Sequence, residues 1–213
     1  MESLSAIFAA SFVIGFTGAL MPGPVLTLTV GQAIKGGWLS GPMIAIGHGL
    51  LELLLLFAVV LGLGSYLSSP SAIKFLGLAG GATLAVMGLM AVLKPGGGTA
   101  DAEFFAGQAL VVQPARWALS GALTSAANPY WVLWWATVGL GYLALAGKMG
   151  AAGVAAFFAG HILADIVWYT SVSVLISSGR RFMGSKAYYR ITAACGLVLI
   201  FFGGGFVFMA LSK

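Results

Sequence analysis

Charged residues are scarce in this chain of 213 residues. Ten Lys and Arg and five Asp and Glu make up 7% of it, whereas an ordinary soluble domain has roughly 25%. So few charges cannot cover a soluble protein of this length, and the mean hydropathy is +1.04. The net charge of +5 is scattered along the chain, which argues against a nucleic-acid-binding patch. A single cysteine, Cys195, excludes a disulfide framework and a thiolate metal cage.

Apolar residues and glycine are abundant instead, at 60% of the chain and 32 residues. Small residues allow transmembrane helices to pack closely, and a membrane span needs roughly 20 mostly apolar residues. The segments that meet this requirement lie at 4–33, 42–66, 71–93, 116–146, 150–178 and 189–211. The sequence therefore predicts an all-α integral membrane protein with six transmembrane helices.

The positions of the basic residues predict the orientation, because Lys and Arg concentrate in cytoplasmic loops. The loops after the first, third and fifth predicted spans hold Lys35, Lys94, Arg116, Arg180, Arg181, Lys186 and Arg190. The opposite side holds Lys74, Lys148 and Lys213. We therefore expect a multi-pass protein of the inner or plasma membrane with both termini outside.

The two halves of the chain resemble each other. Pro22-Gly23-Pro24 interrupts the first predicted span, and Asn128-Pro129 interrupts the fourth. The second span contains Gly47-His48-x-x-x-Glu52, and the fifth contains Gly160-His161-x-x-x-Asp165. Since each half has an odd number of spans, the second half must enter the membrane in the opposite sense. These features predict a 3+3 inverted repeat, with halves at 1–94 and 115–213 and a linker at 95–114. Convergence of apolar sequence is the alternative.

The two interruptions are predicted to form the substrate site. Proline removes a backbone donor and clashes with the preceding helical turn, so Pro22, Pro24 and Pro129 should open helices 1 and 4 near mid-membrane. Exposed backbone at that depth is tolerated only inside protein or along a cavity, and paired breaks indicate a transporter binding site. We therefore expect Gly23 and Asn128 to bind substrate together with the three prolines. A simple proline kink in each helix is the alternative.

Two of the five acidic residues, Glu52 and Asp165, lie inside predicted spans. Ionisable residues in the membrane are costly, face the bundle interior and mark functional sites. His48 and His161 each precede one of these acids by four residues, so each pair shares a helix face. The pairs are predicted to couple transport to protons or other cations. They could instead clamp the helices together, or hold a divalent metal ion such as Mn, Zn, Ni or Co.

The aromatic residues are unevenly distributed. Trp131, Trp134 and Trp135 follow the Asn-Pro interruption, and we expect Trp131 to contribute to the substrate site, with core packing or lipid contact as the alternative. Trp117 and others near span ends are predicted to form an interfacial belt. No sequence fingerprint of a hydrolase, nucleotide-binding or redox enzyme is present. We therefore expect a non-enzyme that needs no cofactor.

Several stretches resemble the lysine-exporter (LysE/RhtB) family of amino-acid exporters. They are Gly-Ala-Leu-Met-Pro-Gly-Pro at 18–24, Gly-Gln-Ala-Ile-Lys-Gly-Gly at 31–37, Leu-Gly-Leu-Gly at 61–64 with Ser69-Pro70, Lys-Phe-Leu-Gly-Leu-Ala-Gly-Gly at 74–81, and Ala-Asn-Pro at 127–129. The resemblance implies an inner-membrane exporter that exchanges a small solute against a cation gradient. Val25, Tyr130 and the pair His48 and Glu52 depart from the family pattern.

The function expected from the sequence is secondary active export of amino acids or related small solutes by proton or cation antiport. A divalent metal-ion exporter that uses the two His/acid pairs is the alternative, and a membrane scaffold without transport activity is a third interpretation. The expected partners are the small-molecule substrate, protons or cations and the lipid bilayer, with no nucleic acid. Self-association into a homo-oligomer is left open.

Overall fold

The structure, a computed structural model, describes residues 3–21, 23–63, 69–93, 112–179 and 185–212. All regular structure in these ranges is helical, so the all-α prediction is confirmed for this part of the chain. The helices are α1 (Leu4–Ala19), α2 (Pro24–Gly36), α3 (Ser40–Ala58), α4 (Pro70–Leu93), α5 (Pro114–Ala126), α6 (Pro129–Trp134), α7 (Leu140–Gly147), α8 (Gly150–Gly179) and α9 (Ser185–Leu211). Single π-helical turns extend α3 (Val59–Leu63) and join α6 to α7 (Trp135–Gly139).

Three helical stretches among the described residues are long and apolar enough to cross a membrane, namely Ser40–Gly62, Tyr130–Gly147 and Gly150–Gly179. The bent pair α1 and α2 makes a fourth if it is counted as one span. Shorter apolar helices, Gly77–Leu93 and Gly196–Leu211, coincide with the remaining two predicted spans. The six-span arrangement stays a prediction.

The first predicted span is interrupted where its prolines lie. α1 ends at Ala19, α2 begins at Pro24, and the two helix axes differ in direction by 80°. Gly23 immediately precedes α2 in an extended conformation, which ends helical hydrogen bonding at that point. Pro22 lies outside the described residues.

The fourth predicted span is interrupted in a similar way. α5 ends at Ala126, and α6 begins at Pro129. Asn128 caps α6, because its side-chain Oδ1 accepts a hydrogen bond from the Tyr130 backbone amide at 3.1 Å. Asparagine is a favoured residue at this capping position, and proline suits the first helical position.

Helices from the first half of the chain pack against helices from the second half. α1 lies along α8, α5 lies along α3, α4 pairs with α9, and α3 contacts α8 at the centre of the bundle. Glycines make these approaches close. A Cβ atom at Gly47 on α3 would overlap the Ala118 carbonyl of α5, and one at Gly160 on α8 would overlap Ser11 and the Phe8 carbonyl of α1. Both glycines directly precede a histidine, so the Gly-His motifs lie where a broken helix packs against a continuous one.

The interfacial position predicted for Trp117 is wrong. Its side chain is 3% exposed, its ring lies against Gly36 of α2, and its Nε1 donates to Gln32 Oε1 at 3.1 Å. The indole therefore joins α5 to α2 inside the protein, because Gly36 leaves room for its ring.

The close approach of α5 to α3 can be tested at Gly121. A Cβ atom there would overlap the backbone of Ile44, whereas Gly204 has nothing within 4 Å of the same position. We expect Gly121→Ala to destabilise the protein by about 1–3 kcal/mol through overpacking. The measurement is thermal unfolding in detergent. Gly204→Ala is the matched control and should be neutral or slightly stabilising, because alanine favours helix. Equal melting temperatures for the two variants would contradict the packing described here.

Candidate functional site

The two His/acid pairs meet in the interior of the bundle. We call His48 and Glu52 of α3 and His161 and Asp165 of α8 the central cluster. Their exposed fractions are 7%, 1%, 3% and 2%, and one ligand-type atom from each residue lies within 4.8 Å of the others. Four ionisable groups are therefore gathered at one buried point, two from each half of the chain.

The contacts within the central cluster run both along each helix and between the two helices. His161 Nε2 lies 3.0 Å from Glu52 Oε2 on the other helix but 3.6 Å from Asp165 Oδ2 on its own helix. His48 Nε2 lies 3.2 Å from Glu52 Oε1 and 3.7 Å from Asp165 Oδ2. The closest carboxylate of His48 is therefore the one on its own helix, whereas the closest carboxylate of His161 is Glu52 on the other helix.

Ser125 of α5 determines how His48 is oriented. The serine hydroxyl donates to the Gly121 carbonyl at 2.8 Å and lies 2.7 Å from His48 Nδ1. A hydroxyl has a single proton, so Ser125 accepts the hydrogen bond from Nδ1–H, and His48 Nε2 is turned towards the carboxylates. Sequence reasoning missed Ser125, because a small polar residue in a span has no distinctive spacing relative to a histidine 77 positions away.

Two tryptophans hold Glu52. Its Oε1 atom accepts hydrogen bonds from Trp131 Nε1 at 2.9 Å and from Trp135 Nε1 at 2.8 Å. Indole N–H groups donate without adding charge, so they stabilise the carboxylate while leaving its negative charge in place. Trp135 is 0% exposed, and its ring also packs in a cluster of buried apolar side chains. The core packing considered for these tryptophans therefore applies to Trp135 as well.

His161 is held by stacking. The Trp134 ring lies against it at 4.6 Å between ring centroids with 22° between the planes, and Phe157 is nearly parallel to it at 6.2 Å. His161 Nδ1 has no hydrogen-bond partner among the described residues. The ring is therefore fixed by aromatic packing rather than by a second hydrogen bond.

Asp165 is the least satisfied member of the central cluster. Its Oδ2 atom is buried and has no hydrogen-bond partner within the described parts of the chain. A buried polar atom without a partner is costly, and it indicates a functional role or a binding position for a ligand. This oxygen faces both histidines, so a proton, a water molecule or a metal cation at the centre of the cluster would satisfy it.

A small cavity opens beside the central cluster. Its volume is about 30 Å³, enough for one or two water molecules. Besides the cluster it is lined by Gly18, Val25, Asn128, Tyr130, Trp131, Trp134 and Tyr169. In this conformation the cavity has room for an ion or a water molecule, and an amino acid would require the surrounding helices to separate.

The structure brings some of the predicted substrate residues to this cavity. Asn128 and Trp131 line it, and Gly23 is close to Asn128, since a Cβ atom on Gly23 would lie 3.8 Å from Asn128 Nδ2. Pro24 is buried at the start of α2 but is not among the described residues that line the cavity. Pro22 lies outside the described residues, and Pro129 is described only as the first residue of α6.

A sequence model of the LysE type translocator family matches residues 16–210. The chain belongs to the LysE type translocator family. The resemblance inferred from the motifs is thereby confirmed, and this LysE type translocator is an integral membrane transport protein. It is 26% identical over 201 residues to the chemotactic transduction protein ChpE of Pseudomonas aeruginosa, covering 93% of this chain and 96% of that protein. No solved structure matches it.

The indole bonds to Glu52 in this LysE type translocator can be tested by a double-mutant cycle. We expect Trp131→Phe and Glu52→Gln to be non-additive by about 0.5–3 kcal/mol, because the first change removes the hydrogen bond and the second weakens the same bond by removing the negative charge of its acceptor. The measurement is unfolding in detergent. Trp117→Phe with Glu52→Gln is the control cycle, since Trp117 donates to Gln32, and it should be additive. Additive effects in the first cycle would show that Trp131 does not hold Glu52.

Proposed function

We propose that this LysE type translocator is a secondary active exporter that moves amino acids or closely related small solutes out of the cell in exchange for protons or other cations. One observation carries the proposal: the central cluster is buried beside a cavity at two helix breaks. A binding site for substrate at interrupted helices, adjacent to buried ionisable groups, is the arrangement that secondary transporters use.

The proposed architecture is a 3+3 inverted repeat with halves at 1–94 and 115–213 joined by a linker at 95–114. The contact pattern supports it. α1 of the first half packs on α8 of the second, α5 of the second half packs on α3 of the first, and α4 pairs with α9. The broken span of each half therefore packs against a continuous helix of the other half, as expected if the two halves are related. In the first half, α1 and α2 together would form the first span, α3 the second and α4 the third. In the second half, α5, α6 and α7 together would form the fourth span, α8 the fifth and α9 the sixth.

The substrate would bind between the breaks, at Pro22, Gly23, Pro24, Asn128, Pro129 and Trp131. The amino end of α2 favours negative charge because of its free backbone N–H groups and its dipole, and would attract a carboxylate. The carboxylates of the central cluster would attract an ammonium group. Because the cavity now holds about 30 Å³, transport requires an open state in which α1 and α6 separate.

The contacts that would break on opening can be named. Tyr130 donates through its hydroxyl to the Thr17 carbonyl at 3.0 Å, and Trp134 Nε1 donates to Thr17 Oγ1 at 3.1 Å. Both bonds join the end of α1 to α6 over the cavity. In an open state that admits water to the cavity, water would replace these partners at small net cost. These bonds would therefore suit a closure that forms and breaks in each transport cycle.

Loss of export in Asp165→Asn is the first test. The variant keeps the shape of the side chain but removes its negative charge, so cation exchange at the central cluster should fail. We expect proteoliposomes containing it to release a preloaded radiolabelled amino-acid mixture no faster than protein-free vesicles. Ser173→Ala, which is buried on the same helix, is the control and should export normally. Export by Asp165→Asn at the rate of the unaltered protein would refute the assigned role.

The proposed orientation in the inner membrane can be tested by cysteine labelling. We expect Lys213→Cys, in a Cys195→Ala background, to react with a membrane-impermeant maleimide in intact spheroplasts, because the C-terminus is predicted to lie outside. Thr99→Cys, in the predicted cytoplasmic linker, should react only after lysis. The opposite labelling pattern would reverse the topology inferred from the basic residues.

A further inference from the structure

We infer that the central cluster is a binding site for one divalent transition-metal ion such as Zn²⁺, Mn²⁺ or Co²⁺. The ion would be bound by the Nε2 atoms of both histidines and one oxygen from each carboxylate. The site goes beyond amino-acid export, since the binding of the ion does not depend on which solute is transported.

The distances between the ligand atoms favour a metal ion over two ion pairs. With Glu52 Oε1 and Asp165 Oδ2 as the oxygen ligands, the distances from His48 Nε2 are 3.2 and 3.7 Å and those from His161 Nε2 are 3.2 and 3.6 Å. Charge-assisted hydrogen bonds between such groups are shorter, about 2.7–2.9 Å. Metal–ligand bonds of about 2.0–2.2 Å in a tetrahedral site place neighbouring ligand atoms roughly 3.3–3.6 Å apart. The observed nitrogen–oxygen distances lie on both sides of this spacing, and all four ligand atoms lie within 4.8 Å of one another, so small side-chain movements would place them around one ion.

The donor set and its charge also fit such an ion. Two imidazole nitrogens and two carboxylate oxygens suit divalent first-row transition metals, with geometry rather than affinity deciding among them. The two carboxylates balance a charge of +2, so a loaded site adds no net charge to the low-dielectric interior. Asp165 Oδ2 has no hydrogen-bond partner among the described residues. The ion would be a cation to which this oxygen could bind.

The groups around His48 and Glu52 support these two ligands as in a built metal site, whereas His161 is held by aromatic stacking. A ligating histidine usually donates its other ring N–H to a neighbouring acceptor, and ligating carboxylates are themselves hydrogen-bonded. Ser125 accepts from His48 Nδ1, which leaves the Nε2 lone pair directed at the centre. Trp131 and Trp135 donate to Glu52. Ser125 and the two tryptophans are thus positioning residues for the ligands.

The size of the cavity is consistent with this occupant. Its volume of about 30 Å³ accepts an ion without rearrangement of the helices. The further step, in which the ion is the cation exchanged for the solute or is itself exported, rests on the proposed function. Binding and transport can therefore be tested separately.

The experiment begins with the full chain, purified in detergent through a tag that contains no histidine and stripped of metal with EDTA. Titration with CoCl₂ should produce the visible absorption bands of tetrahedral cobalt and saturate at one ion per chain. ZnCl₂ should abolish the bands by competition. It should also raise the melting temperature, because an ion that binds only the folded state stabilises it. No visible bands and no change in melting temperature would overturn the inference.

The variants identify the ligands. We expect His161→Ala and Asp165→Asn to lose the cobalt bands, and Ser125→Ala to weaken binding by about 10–100-fold, the usual effect of removing a supporting hydrogen bond. Ser173→Ala is the control and should bind as the unaltered protein does. If His161→Ala does not fold, Asp165→Asn decides the matter, because it preserves side-chain shape. Unchanged binding by Asp165→Asn would overturn the inference.

Transport assays separate this inference from the proposed function. If metal binds and amino acids are not exported, the site stands and amino-acid export fails. If amino acids are exported from EDTA-treated proteoliposomes and no metal binds, the metal site fails and the exporter stands. Export of ⁶⁵Zn²⁺ from preloaded vesicles would make the ion the cargo.

Discussion

The burial of Glu52 and Asp165 between α3 and α8 is the constraint on which the rest of the structure depends. A carboxylate removed from water must be hydrogen-bonded, paired with a cation or protonated, because its desolvation is otherwise too costly. Glu52 meets this need through two indole donors and both histidines. Among the described residues, Asp165 meets it through the histidines alone, at longer range. The unequal support leaves Asp165 Oδ2 as the oxygen with the greater need of a further partner.

Glycine makes this burial possible. Gly47 and Gly160 let the broken helices reach the backbone of the continuous ones, so that Ser125 and the tryptophans come within hydrogen-bonding distance of the central cluster. A side chain at either glycine would separate the helices and open the site to lipid or water. The glycine content of the chain is therefore connected to the chemistry of the cluster as well as to packing, because polar support requires backbones in close contact.

The helix breaks lie beside the central cluster, on the same cavity. Asn128 caps α6 beside the cavity, and the tryptophans that follow it in the chain reach Glu52 and His161. Membership of a translocator family gives this arrangement its context, since transport requires a buried site that alternately faces both sides. A substrate that enters between the breaks would contact the cation site directly, which provides a physical route for exchange of one for the other.

Composition, periodic hydropathy and proline positions determined the helical membrane class, the breaks at Gly23-Pro24 and Asn128-Pro129, and the residues of the central cluster, because these depend on local chemistry. The six spans and the repeat remain predictions. Only the tertiary structure decided that Glu52 contacts a histidine 109 positions away, that Ser125 orients His48, and that Trp117 is buried. These contacts join distant helices whose spacing in the sequence has no periodicity, so they depend on how the helices pack rather than on any local pattern.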